Sequence, residues 1–119
     1  MVRPGQWDVR ARVERFVEPS VLLLLRGRPM HGYELLERLE EAGVEARIDV
    51  GNVYRLLRAL EDEGVVTSEW SADLPGPAKR TYELTDNGRR LLEQWAEALR
   101  GARGTIDDFL DRYDKPERR

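Results

Sequence analysis

The chain has 119 residues, no cysteine, one histidine, 36% charged residues and a formal net charge of −3. That length holds one compact domain with one added element. The absence of cysteine excludes disulfides, thiolate chemistry and cysteine-bound metal, and the acidic balance gives no overall support to nucleic-acid binding, so any such role must rest on where the charges sit.

The longest apolar run, residues 21–25, is far too short to cross a bilayer. The opening "MVRPGQWDVRAR" lacks the apolar centre of a signal peptide, so a cytoplasmic location is expected. Residues 1–18 read as a short basic helix or arm. A buried helix follows, with Pro19 suited to its first turn and residues 20–25 too apolar for a surface. Gly27 and Pro29 end it. In "MHGYELLERLEEAGV" (residues 30–44), Met30 to Tyr33 form a junction, with Gly32 expected to allow a tight turn and Tyr33 to anchor a second helix in the core. Tyr33, Leu35, Leu36 and Leu39 make the apolar stripe, glutamates and Arg38 cover the other side, and Gly43 is the stop.

Asp49 can cap a third helix, "VGNVYRLLRALEDEG", whose buried face is Val53, Leu56, Leu57 and Leu60. Gly64 ends it. The period then changes. "VVTSEWSADL" and "TYEL" read as two strands around a Pro/Gly loop that ends in Lys79 and Arg80. In the last segment Leu92, Trp95, Leu99, Ala102, Ile106, Phe109 and Tyr113 alternate at spacings of three and four, the seam of a coiled coil. A helix over 86–113 would be about 42 Å long. Gly101 and Gly104 each cost about 1 kcal/mol inside a helix; either they bend it, or Thr105 caps a separate final one.

Three helices and then a hairpin give a mainly α fold with a small two-stranded β wing: a winged helix-turn-helix over residues 19–85, followed by a long C-terminal dimerisation helix over 86–119. Residues 31–42 and 50–63 form the helix-turn-helix pair, with a longer turn than the minimal one. The second of them is expected in the DNA major groove, with the hairpin loop lying over the backbone or minor groove.

"MHGYELLERLEEAG", "VGNVYRLLRALEDEGVV" and "GPAKRTYELTDNGRRLLEQWAEAL" together resemble the PadR family of winged-helix transcriptional regulators. The resemblance rests on Gly32-Tyr33, Tyr54, Leu57, Gly64 and Tyr82-x-Leu84-Thr85-x-x-Gly88 in this order, over roughly residues 19–99. It implies a homodimer held mainly by the C-terminal helix, as in the smaller PadR subgroup. It further implies double-stranded DNA as partner, and an effector-responsive repressor acting on a pseudo-palindromic operator. Some relatives accept flat aromatic effectors between their long helices, which makes Trp95 a candidate effector contact. Two departures stand out. Arg55 occupies a position where this family often carries Pro, and the N-terminal "WDVRARVERF" extends beyond the minimal core.

The residues expected at DNA are Asn52 and Arg55, suited to base edges or phosphate, with Arg58 further along the helix and Lys79 and Arg80 at the wing. Tyr54 either reaches a phosphate or is half-buried. On a bland reading all of these are a solvated surface. Leu92, Trp95, Leu99, Ala102, Ile106 and Phe109 are expected at the dimer interface. Six arginines against three carboxylates give residues 1–28 a side-chain charge of +3, so the rest of the chain carries −6. That asymmetry suits one surface meeting DNA and another facing water. The single histidine, His31, reads as a cap or turn residue. No nucleophile–base pair, phosphate-binding glycine loop or metal cluster stands out, so neither catalysis nor a cofactor is expected. The second reading is a protein–protein adaptor without direct DNA readout.

Overall fold

The structure, a computed structural model, describes residues 16–44, 48–71 and 79–117. Its elements are α1 (Val17–Gly27), β1 (Met30–His31), α2 (Gly32–Glu41), α3 (Val50–Asp62), β2 (Val66–Ser71), β3 (Lys79–Leu84) and α4 (Asp86–Asp114). The expected N-terminal helix or arm and the wing-loop residues 72–78 lie outside the described residues, apart from the start of α1. That helix begins at Val17, so Pro19 sits within its first turn, where its missing N–H is not needed. The Ser20 hydroxyl donates to the Phe16 carbonyl at 2.7 Å.

α2 and α3 end alike. The N–H groups of Gly43 and Val44 return to the carbonyls of Glu40 and Leu39, and those of Gly64 and Val65 to Glu61 and Leu60. Each is a Schellman motif, with its glycine at positive φ (67° and 76°). α3 starts at Asp49, whose carboxylate accepts from the Asn52 N–H at 3.3 Å. Both glycine stops and the aspartate cap stand where the sequence placed them.

The core is Val21, Leu22 and Leu25 of α1, Leu35, Leu36 and Leu39 of α2, Val53, Leu57 and Leu60 of α3, and Met30, Val65, Val66, Tyr82 and Leu84 around the sheet. Leu56 is only half-buried at its edge. Tyr33 departs from expectation: it is 72% exposed and anchors nothing in the core. Gly32, Leu35, Leu36 and Leu39 lie along one side of α2, and Tyr33 lies about 100° around from Gly32 at 3.6 residues per turn. Gly32, not Tyr33, heads the buried stripe.

The sheet has three strands in the order β1-β3-β2, all antiparallel. The expected two-stranded wing gains β1 through the pairs Met30↔Tyr82 and His31↔Thr81. Two residues carry no alternating pattern, so this strand left no periodic trace in the sequence. His31 Nδ1 lies 3.0 Å from the Thr81 hydroxyl, a side-chain hydrogen bond that ties the junction to the wing.

α4 begins under the hairpin. The Thr85 hydroxyl accepts from the Gly88 N–H at 3.0 Å and donates to the Gly64 carbonyl at 2.7 Å, while the Thr85 N–H donates to the Val65 carbonyl at 3.1 Å. One threonine thus caps α4 and locks it to the end of α3. The helix then runs unbroken for 29 residues, about 43 Å at 1.5 Å per residue. Gly101 and Gly104 neither break it nor start a new one, and the Thr105 hydroxyl donates to the Gly101 carbonyl within the same helix. No helix among the described residues is long and apolar enough to cross a membrane.

Candidate nucleic-acid interface

α3 turns Val53, Leu57 and Leu60 inward and leaves Gly51, Asn52, Arg55, Arg58, Ala59 and Asp62 exposed. At 100° per residue, Arg55 lies almost opposite the buried stripe. Its guanidinium donates to the Asn52 side-chain carbonyl. The two residues expected to read base edges therefore share the first exposed turn after the Asp49 cap. Arg58 lies one turn further along, toward the wing.

Tyr54 is half-buried and takes the place a side chain at position 32 would need. A Cβ on Gly32 would lie 2.7 Å from Tyr54 Cε1 and 2.8 Å from its hydroxyl. Gly32 is therefore required for close approach of the Tyr54 ring. The tight turn expected of it is not the reason, since positive φ among the described glycines occurs only at Gly43 and Gly64.

The hairpin face toward α3 carries three directly opposed pairs: Val66 with Leu84, Ser68 with Tyr82, and Trp70 with Arg80. Burial fades along this series. Val66, Leu84 and Tyr82 are buried, Ser68 is half-buried, and Trp70 is 66% exposed. Burial pushes the Tyr82 phenol above its ordinary pKa. The strands thus leave the core with their apolar face gradually giving way to a polar and aromatic one. Between this face and α3 lies a groove of about 740 Å³ whose lining includes Tyr33, Tyr54, Arg58, Trp70, Lys79, Arg80 and Tyr82, together with the carboxylates Glu61 and Asp62. Three cations and exposed aromatic rings beside a protruding helix suit a polyanion with flat bases.

The groove brings Tyr54, Arg58, Lys79 and Arg80 together and leaves Asn52 and Arg55 at the N-terminal end of the same helix. Tyr33, Trp70, Ser68 and Glu61 were not foreseen. Trp70 shares a strand face with Ser68, and that alternation was the available signal. The spacing in α2 predicts Tyr33 in the core, and the structure places it at the groove instead. Among the described residues, no group of three or more His, Asp or Glu side chains could hold a metal ion.

Residues 21–94, well over half of the chain, match the Transcriptional regulator PadR-like family. The chain belongs to this family of transcriptional regulators. It is 30% identical over 82 residues to the negative transcriptional regulator PadR of Bacillus subtilis (strain 168), covering 68% of this chain and 45% of that protein. A candidate transcriptional regulator from Thermoplasma acidophilum superposes with a TM-score of 0.68 at 37% identity, covering 80% of this chain and 90% of that one. Bacillus subtilis PadR in complex with operator DNA superposes with a TM-score of 0.62 at 29% identity, over 69% of this chain and 47% of that one. The phenylalanine–tRNA ligase alpha subunit of Methanopyrus kandleri is 29% identical over 93% of this chain but only 21% of that subunit. The chain thus spans under half the length of these two curated relatives. The winged helix with a long C-terminal helix is the architecture shared with the solved structures.

The expected dimer seam divides in two. Leu92 and Trp95 are half-buried against the chain's own core, and the Trp95 indole N–H donates to Glu18 of α1 at 2.6 Å. The first turns of α4 cross α1, which is why this part of the seam already has a partner. Leu99 is half-buried at the point where the helix leaves the body. Beyond it Ala102, Ile106, Phe109, Leu110 and Tyr113 are exposed, the last four by 55%, 68%, 47% and 70%.

Proposed function

We propose that the protein regulates transcription in the cytoplasm by binding double-stranded DNA as a homodimer, and most simply as a repressor on a pseudo-palindromic operator. The observation that carries this reading is the shared face of α3 and the hairpin: Asn52, Arg55 and Arg58 exposed on one helix with Tyr54 half-buried among them, and Lys79 and Arg80 across the groove. Asn52 and Arg55 are assigned to base edges, and Arg58 and Lys79 to the neighbouring backbone, with Arg80 beside them in the groove. Family membership and the operator complex of Bacillus subtilis PadR support the reading.

The unpartnered distal stripe of α4 supports pairing about a two-fold axis, each copy burying Ile106, Phe109 and Tyr113 against the other. Ala102 and Leu99 continue that contact toward the body. Two α3 helices would then reach successive major-groove faces about 34 Å apart. A small flat aromatic effector seated against Trp95 would compete for the packing that ties α4 to α1, and so shift the spacing of the two helices.

Arg55→Glu tests the DNA surface. It is expected to weaken duplex binding by roughly 2 kcal/mol or more, about thirtyfold, with unchanged thermal stability because Arg55 is exposed. Fluorescence anisotropy against genomic fragments reads the change. Equal affinity for wild type and variant would remove α3 from the interface and favour the adaptor reading.

A further inference from the structure

Arg80 lies in the groove, but its charge is already engaged. Its Nη2 is 3.5 Å from Glu61 Oε1 on α3. Its Nε donates to the Ser68 hydroxyl at 2.7 Å, and the same hydroxyl donates to Glu61 Oε2 at 2.7 Å. The guanidinium also lies over the Trp70 ring, 5.6 Å from its centroid, within cation–π range. Four side chains from α3, β2 and β3 thus form one linked set at the solvent-facing side of the groove. The Ser68 hydroxyl donates once and accepts once, while the Glu61 carboxylate receives both a hydroxyl and a guanidinium. Lys79 and Arg58 make no ion pair among the described residues and so face the groove differently.

Glu61 and Asp62 both line this groove, and it is Glu61 that is bound to Arg80 and Ser68; a carboxylate facing phosphates is costly for binding unless it has another task. We propose that Glu61 is a positioning residue for DNA binding: it holds Arg80 as a brace between α3 and the wing, and withholds that cation from the DNA backbone. The inference rests on the DNA reading above. The brace sets the angle between the helix that enters one groove and the strands that flank it, before DNA arrives. It also lowers the sequence-independent part of the affinity, which scales with the number of phosphates neutralised, and leaves base contacts untouched. Glu61 therefore raises the ratio of specific to non-specific binding at the expense of total affinity.

The salt dependence of binding counts phosphate contacts directly, with a slope in log–log form of about −0.9 per phosphate on a duplex. The full chain is titrated against a random-sequence duplex between about 50 and 200 mM salt. Wild type and Arg80→Gln are expected to share one slope. Glu61→Gln keeps the Ser68 hydrogen bond, frees Arg80, steepens the slope by about 0.9 and tightens non-specific binding roughly five- to tenfold at 0.1 M salt. In the double variant the slope returns to the wild-type value. Glu63→Gln removes the same charge from an exposed position outside the brace and is expected to leave the slope alone.

A slope that flattens by about 0.9 in Arg80→Gln alone would overturn the proposal, because Arg80 would then already contact a phosphate. So would an unchanged slope in Glu61→Gln, or an equal steepening in Glu63→Gln. If wild type binds no duplex at any salt, the DNA reading itself fails and the inference falls with it.

Discussion

Replacing Gly88 with alanine is expected to destabilise the protein by about 3 kcal/mol, a large share of the stability of a small domain. A Cβ at this position would fall well inside contact distance of the Val65 carbonyl oxygen and of Leu84 Cδ1. The first obstacle is backbone, and that carbonyl already accepts from the Thr85 N–H, so neither side can move without breaking the α3–α4 junction. The same substitution at Gly101, thirteen residues along the same helix, meets nothing within 4 Å. It is expected to stabilise α4 by about 0.5–1 kcal/mol through helix propensity alone. Urea unfolding of the two variants is the check. Equal midpoints for Gly88→Ala and wild type would show that α4 does not start where the Thr85 cap puts it.

Phe109→Asp should leave the body intact and abolish pairing. The ring is 68% exposed in the single chain, so its loss removes almost nothing from the core. In the proposed two-fold pairing the substitution would delete two buried rings, each worth about 2 kcal/mol, and place two carboxylates in an apolar contact. Sedimentation at micromolar concentration is expected to show wild type at twice the 13.8 kDa chain mass and the variant at that mass. Duplex affinity should fall with it by roughly a hundredfold, since one reading head no longer raises the local concentration of the other. An unchanged wild-type sedimentation coefficient in Phe109→Asp would move the dimer contact elsewhere.

Much of this architecture was legible in the residues. Gly43 and Gly64 are stops because only a residue tolerant of positive φ can close a Schellman motif there, and Asp49 is a cap because its carboxylate reaches a backbone N–H at the start of α3. The run Tyr82-x-Leu84-Thr85-x-x-Gly88 carried the family resemblance as a pattern. Geometry now gives each part its reason: a buried ring, a core leucine, a cap that bonds two elements, and a glycine where no Cβ fits. Helical spacing misled at Tyr33, because a period cannot tell which residue of the first turn faces inward when glycine is one of the choices. β1 is too short for any period. The brace of Glu61, Ser68, Trp70 and Arg80 depends on how the hairpin folds over α3, and no local pattern encodes that. The distal stripe of α4 was visible as a heptad, but the share of the seam taken by α1 appeared only with the fold.

Selecting bound fragments from genomic DNA, then measuring the stoichiometry and salt dependence of the best of them, tests the central claim most directly. The expected result is two chains per duplex on a site with two-fold related halves, with log affinity falling steeply as log salt rises. A chain that binds no fragment in preference to another, with a flat response to salt, would contradict it.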